Sequence, residues 1–341
     1  MSEEWPIAAP PLAGGKKAAA TVRPVDGDRR LSAAVRDFFL EPGTRLTEQE
    51  RALMTAMLHG LVDRIADELR ARVDPSTAAA CPSTAAELVA DLTRAGLLQD
   101  EALVGLLLRR ADIQRLAQSA GEGGRTRLQR WTADEDAEVA ASAMTLLTAR
   151  GRGRDRYGRI ALDMVDLPQP LSFGLVQVVA AALGRLCSAP SDNALALAAA
   201  DLLAERPQGR RLEEIEAELA EALGSERRQE AGLLVSLAAD GEAPLLAAIL
   251  AAEAGIAPEE GWRCLLGGGE QLALLLRMAG IIRREAAALL AHAGPALGFG
   301  DPVKAIEAYD ALAQEQVDAA RAELELPPAF RRAKAVLAHH G

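Results

Sequence analysis

A chain of 341 residues that is 50% hydrophobic but only 3% aromatic must build its core mainly from Ala, Leu and Val. That mix favours helices and leaves few of the β-branched and aromatic side chains that suit strands. The 49 acidic residues outnumber the 38 basic ones, for a net charge of −11. This balance suits a soluble cytoplasmic protein and argues against nucleic acid or an anionic membrane as the partner of the whole surface.

Residues 1 to 29 carry Pro, Gly, Ala and basic pairs without apolar periodicity, and read as a disordered tail. The opening MSEEWP is acidic, with no apolar stretch behind a basic head, so no secretory signal is expected. In LSAAVRDFFL, Val35, Phe38 and Phe39 share a helical face. Thr47-Glu-Gln-Glu50 then has the pattern of a capping box opening a long helix. The stripe Met54, Leu58, Leu61, Ile65 and Leu69, reinforced by Leu53, Met57 and Val62, runs at helical spacing to about Val73. At ~1.5 Å per residue this helix is about 40 Å long and needs a neighbour, from its own chain or from a second copy in a homodimer.

The loop DPSTAAACPS ends that unit, and Thr84-x-x-Glu87 caps a helix continued by Leu88, Leu92 and Leu97. Next comes LLLRRADIQR, Leu106 to Arg115, which is echoed at seven of ten positions by LLLRMAGIIR, Leu274 to Arg283. The pair reads as two bends between helices. Asp112 is placed to cap a new helix in the first, and Gly280 to end one in the second. After GEGG at 121 to 124, a helix is expected from Thr132 to about Ala149. The apolar run LSFGLVQVVAAALGRLC is interrupted by Gln177 and Arg185 and falls short of the roughly 20 residues a bilayer requires, so it reads as a buried helix.

Beyond residue 190, helices are expected to begin near Asn193, Arg211, Glu226, Glu242, Pro258 and Glu270. Pairs restart at a spacing of about 32 residues, in the range of helical solenoids. A last segment runs from Pro302 to about Glu323, followed by Pro327-Pro328 and a short terminal helix. The expected fold is all-α, with helical hairpins stacked as a HEAT- or armadillo-like solenoid and no β-sheet. Its parts are a tail (1–29), an N-terminal helical domain with one long helix (30–149), an Arg/Gly-rich linker (150–159) and a C-terminal helical-repeat domain (160–341).

Few residues suggest chemistry. Cys81, Cys187 and Cys264 are odd in number and lack metal-ligand spacing, so each is expected to be a small buried hydrophobe outside any disulfide framework. His59 lies near the polar side of the long helix, where a phosphoacceptor histidine would sit, but AMLHGLVDR offers no acidic or amide neighbour to assist it. His292 has no second ligand nearby, and His339-His340 sit in a terminal tail. There is no GxSxG, Walker A, HExxH or strand-linked GxGxxG pattern. Gly267-Gly268-Gly269 reads as a helix connection, because Glu270 directly after it would repel an anion. Glu213, Glu214, Glu216, Glu218 and Glu221 read as a solvated face around Leu212, Ile215, Leu219 and Leu223. No catalytic residue, metal ligand or cofactor site is expected.

RGRGRDRYGR is the exception. It sets Arg150, Arg152, Arg154, Arg156 and Arg159 against a single Asp, with Arg125, Arg127, Arg130 and Trp131 upstream. Arginine forks bind phosphate or carboxylate, and Tyr157 offers a ring on which a base can stack.

Three stretches carry a family likeness: LSAAVRDFFLEPGTRLTEQERALMTAMLHGLV, EALVGLLLRRADIQRL and GWRCLLGGGEQLALLLRMAGIIRREAAALL. In its pattern of helix starts and Leu/Arg/Ala ends the chain resembles a family of all-helical bacterial proteins known as a domain of unknown function. The resemblance implies a HEAT-like helical body without an assigned enzymatic activity, and it supplies no catalytic residues. The expected function is a non-enzymatic scaffold or adaptor for a protein partner. The alternatives are a regulator that binds nucleotide or nucleic acid through 150–159, and a phosphotransfer protein acting through His59.

Overall fold

The computed structural model describes residues 46–81, 85–119, 123–155, 157–188, 191–206, 209–230, 232–297, 299 and 301–339. The expected tail, the segment LSAAVRDFFL, Thr84, Arg156 and His340 lie outside these residues. The described chain is all-helical, and its one β feature is an isolated bridge between Arg154 and Ile160. None of its helices is long and apolar enough to cross a membrane.

Helix α1 (Glu48–Arg72) starts at the expected capping box. The Glu50 amide donates to Thr47 Oγ1 (3.2 Å), and the Thr47 amide donates back to Glu50 Oε2 (3.1 Å). Its stripe from Met54 to Leu69 is buried. The neighbours along it come from the same chain: α2 (Pro75–Ala80), α3 (Ala85–Arg94), α4 (Glu101–Ser119), α7 (Gln169–Leu186) and α8 (Asp192–Ala204). Together they form a first core running from Met54 to Ala111 and from Leu162 to Leu202.

The second core takes Leu116, Leu128 and the apolar face of α6 (Ala137–Arg152), then resumes at Leu212 and ends at Leu324. Between them, α5 (Gly123–Trp131) packs on α6. The later helices are α9 (Leu212–Ala222), α10 (Gly224–Arg228), α11 (Leu233–Ala239), α12 (Ala243–Ala254), α13 (Pro258–Leu266), α14 (Gly269–Met278), α15 (Arg283–Leu297), α16 (Pro302–Ala311), α17 (Gln314–Glu325) and α18 (Pro328–His339). Apart from Glu253, APLLAAILAAEA is apolar on all sides, so α12 is enclosed by α4, α9, α10, α11, α13 and α14. Gly261 sets the α12–α13 approach, because a Cβ there would lie 2.7 Å from both Ala247 O and Ala251 Cβ.

The two cores interleave along the sequence. Of the expected linker, Arg150–Arg152 finish α6, and Asp155 organises the turn after it. Asp155 Oδ1 accepts from the Tyr157 and Arg159 amides, each at 2.8 Å. The helix expected from Thr132 instead begins at Ala137, with Asp136 as its cap.

The two echoing stretches are not equivalent. Gly280 ends α14 in the left-handed region (φ +69°), as expected. LLLRRADIQR contains no bend, because α4 runs unbroken through it and Asp112 lies buried inside that helix. Helix α4 carries Leu103–Ala111 into the first core and Leu116 into the second. Arg109, Arg110 and Asp112 fall where it crosses between them.

The cysteine expectation is corrected as well. Cys81 and Cys187 form a disulfide across 106 positions, tying the end of α2 to the end of α7. Beside it, the Ser188 amide donates to Ala80 O (2.8 Å). Cys264 lies buried in the second core, as expected.

Candidate functional site

The charged residues brought together by the fold lie at the seam between the cores. From the first-core side, α4 supplies Arg109 and Arg110, and the 3-10 turn Met164–Asp166 supplies Asp166. From the second-core side come Glu213 and Glu216 on α9, Arg150 on α6 and Glu242 ahead of α12. Arg110 Nη1 donates to Glu213 Oε1 at 2.9 Å, and Arg110 Nη2 lies 3.4 Å from Asp166. Arg109 reaches Glu213 (3.4 Å) and Glu216 (3.3 Å), with its guanidinium 4.8 Å over the ring of Trp262 on α13. Arg150 makes a two-pronged contact with Glu242, at 2.9 and 2.7 Å, and lies 3.9 Å from Glu216. Asp166 also accepts the Leu212 amide (3.2 Å) at the start of α9.

Arg110 is 2% exposed and Glu216 1%. Four carboxylates share three guanidiniums here, and of the seven side chains Arg150 alone, at 28% exposure, keeps appreciable contact with water. Burial pushes the Glu213 carboxyl up, but Arg110 and Arg109 together outweigh it and hold Glu213 below its ordinary range. Burial prevails at Glu216, which stays above its ordinary value despite Arg109 and Arg150. It also prevails at Asp166, in spite of Arg110. Glu216 and Asp166 thus hold their protons more tightly than solvated acids do. Glu213 Oε2 and Arg110 Nε remain buried without hydrogen-bond partners among the described residues.

Displaced carboxylates of this kind mark many catalytic sites, but catalysis also needs room for a substrate. The cleft between α7 and α8, and the smaller one lined by Arg127, Asp134, Arg227 and Leu233, are built from other residues. The Arg109–Glu216 and Arg110–Glu213 ion pairs of the seam link an element of the first core to an element of the second.

Glu213 and Glu216, expected on a solvated face, are both buried by the fold. The signal was present in the spacing: Glu216 stands four residues after Leu212 and three before Leu219, on the apolar stripe itself. Arg110, three after Leu107, lies on the stripe of α4 in the same way.

Of the expected anion site, Arg150 turns inward to Glu242, while Arg152, Arg154 and Arg159 remain exposed. Arg154 donates to Gly158 O (2.8 Å), and the Arg159 guanidinium sits 5.7 Å over the Tyr157 ring. Arg127 is paired with Asp240 at 3.3 Å. His59 is partly buried on α1 and His292 is exposed on α15. Gly267–Gly269 form a packed turn, in which a Cβ on Gly269 would meet Ala305 at 2.8 Å. No group of three metal-ligating side chains occurs among the described residues. No family model matches the chain, and no curated protein or solved structure matches it either.

Proposed function

We propose that this protein is a non-enzymatic helical scaffold that binds a protein partner, with the terminal helix α18 as the docking element. One observation carries the reading. One side of α18 is tied to the body by Arg331 to Glu260 (3.0 Å) and Arg332 to Glu101 (2.8 Å), while Lys334, four residues after Phe330, reaches Glu323 (2.6 Å) from the edge of the other side. Its apolar side, Phe330, Val336 and Leu337, is left in solvent, with Leu337 73% exposed. Phe330, Ala333 and Leu337 fall at helical spacing, so they form one continuous stripe. A helix held on one side and bare on the other fits a partner's groove.

HEAT- or armadillo-like stacking and the likeness to an uncharacterised bacterial family belong to the same proposal. What supports the stacking is the packing of α12 on α13, α13 on α14 and α14 on α16. The enclosed helix α12 departs from a plain stack, in which each repeat touches only its neighbours. The regulator reading rests on the exposed pair of Arg159 and Tyr157, and it has lost Arg150 to the seam.

The test is affinity capture from the native cell with wild type and with Phe330→Ser/Leu337→Ser. Wild type retains one stoichiometric protein that the variant releases. A captured nucleic acid or nucleotide, or a partner held equally by the variant, overturns the proposal.

A further inference from the structure

Helix α2 is PSTAAA, six residues that follow Asp74. Its start is well set, since Asp74 accepts the amides of Ser76 and Thr77 (3.0 and 3.1 Å) and Pro75 stands at the first helical position. Its length is not. A helix this short is marginal in water unless its far end is held, because so few bonds offset little of the nucleation cost. Packing does not hold it, for no residue of α2 is buried. Of residues 75–81, Cys81 alone belongs to the first core, at 8% exposure.

The far end is fastened to the tip of α7. The Ser188 amide and hydroxyl both donate to Ala80 O, at 2.8 and 3.2 Å, and Cys187 beside it closes the disulfide with Cys81. Ser188 is exposed, so water competes for its two hydrogen bonds and the covalent bond is the firm tie. We propose that the Cys81–Cys187 disulfide is a redox switch for α2: closed, it keeps Pro75–Cys81 as a helix fastened to the end of α7, and open, it lets that segment melt while both cores stay folded. Ordering and melting of a short segment is one way in which a local chemical change alters a protein surface.

Opening the bond needs a reductant, which a small dithiol supplies. One of its thiolates attacks a sulfur of the pair, the Cys81–Cys187 bond breaks, and one cysteine leaves and takes up a proton. The second thiolate then displaces the other cysteine and closes the reductant's own disulfide. Two electrons and two protons pass to the protein. Apart from Cys81, no side chain of the segment has to leave a core, so a local opening suffices to bring the bond into solvent.

The test is hydrogen exchange of the full chain without denaturant, oxidised and after treatment with dithiothreitol, read by mass spectrometry and paired with a thiol count. Reduction goes to completion in the native protein, the amides of Ala78 to Cys81 lose their protection, and those of α12 keep theirs. Cys81→Ser/Cys187→Ser shows the unprotected segment without reductant, and dithiothreitol changes nothing in it. The proposal is overturned if the bond resists dithiothreitol until the chain is unfolded, if Ala78 to Cys81 exchange alike in both states, or if α12 loses protection together with the segment.

Discussion

Arg110 and Glu213 stand 103 positions apart in sequence and 2.9 Å apart in the fold, both buried. Each has a second, longer contact, Arg110 with Asp166 and Glu213 with Arg109, both at 3.4 Å. Arg110→Met would leave Glu213 and Asp166 facing each other in a medium that solvates neither. The expected cost is about 3–5 kcal/mol, the range for breaking a buried ion pair from one side. Urea denaturation checks this, with Arg283→Ala as the control. Arg283 pairs with Asp310 in solvent, and its loss should leave the midpoint unchanged.

The seam should also give stability a particular pH dependence. Because burial raises the folded-state pKa of Glu216, its contribution is fully present below the ordinary value of 4.5 and is lost as pH rises through the raised one. Glu213 runs the other way, since its pKa is depressed: its contribution is present above 4.5 and lost as the solution becomes more acidic. Glu216→Gln removes only the first titration. The stability of wild type relative to this variant should therefore decline as pH is raised from about 4.5, read from denaturation midpoints across a pH series. A difference that stays constant with pH would show that the Glu216 pKa is the same in the folded and unfolded chain.

Two glycine-to-alanine changes should act in opposite directions. Gly261→Ala pushes a methyl group into the Ala247 carbonyl and the Ala251 side chain, so α13 must retreat from α12. A loss of about 1–3 kcal/mol is expected, as for other overpacked sites. Gly60 lies exposed on α1 with nothing within 4 Å of an added Cβ. Gly60→Ala should stabilise by about 0.5–1 kcal/mol through helix propensity alone. Thermal melts of the two variants beside wild type decide the signs.

The disulfide closes a loop of 106 positions, long enough for the cross-link to restrict the unfolded chain strongly. Cys81→Ser/Cys187→Ser should lower stability by about 3–5 kcal/mol under oxidising conditions and change nothing under reducing ones. Thiol titration of the unfolded wild type should find one reactive cysteine, Cys264, before reduction and three after it.

These expectations rest on contacts that were unequally legible in the sequence. The stripe of α1, the Thr47–Glu50 cap and the stop at Gly280 follow from local periodicity and cap chemistry, and each lies where spacing alone put it. The seam is a different kind of object. Glu216 and Arg110 occupy stripe positions, but whether a charge on a stripe is solvated or buried depends on what lies opposite, and here the partner is about a hundred residues away. The same separation hid the pairing of Cys81 with Cys187, since sequence shows the thiols but not that α2 and α7 end side by side. The interleaving of the two cores is hidden from the sequence for a related reason. Helix α4 crosses from one core to the other in mid-helix, where no glycine, proline or loop marks the passage.

Buried charges on α4 and α9 are expected to hold the two interleaved cores together as one folding unit. Native-state hydrogen exchange, read separately for amides of α1 and of α12, tests it most directly. In wild type the slowest amides of both helices should open with the same free energy, and in Arg110→Met the two values should separate. Unequal values already in wild type, or equal values that survive the substitution, would contradict the account.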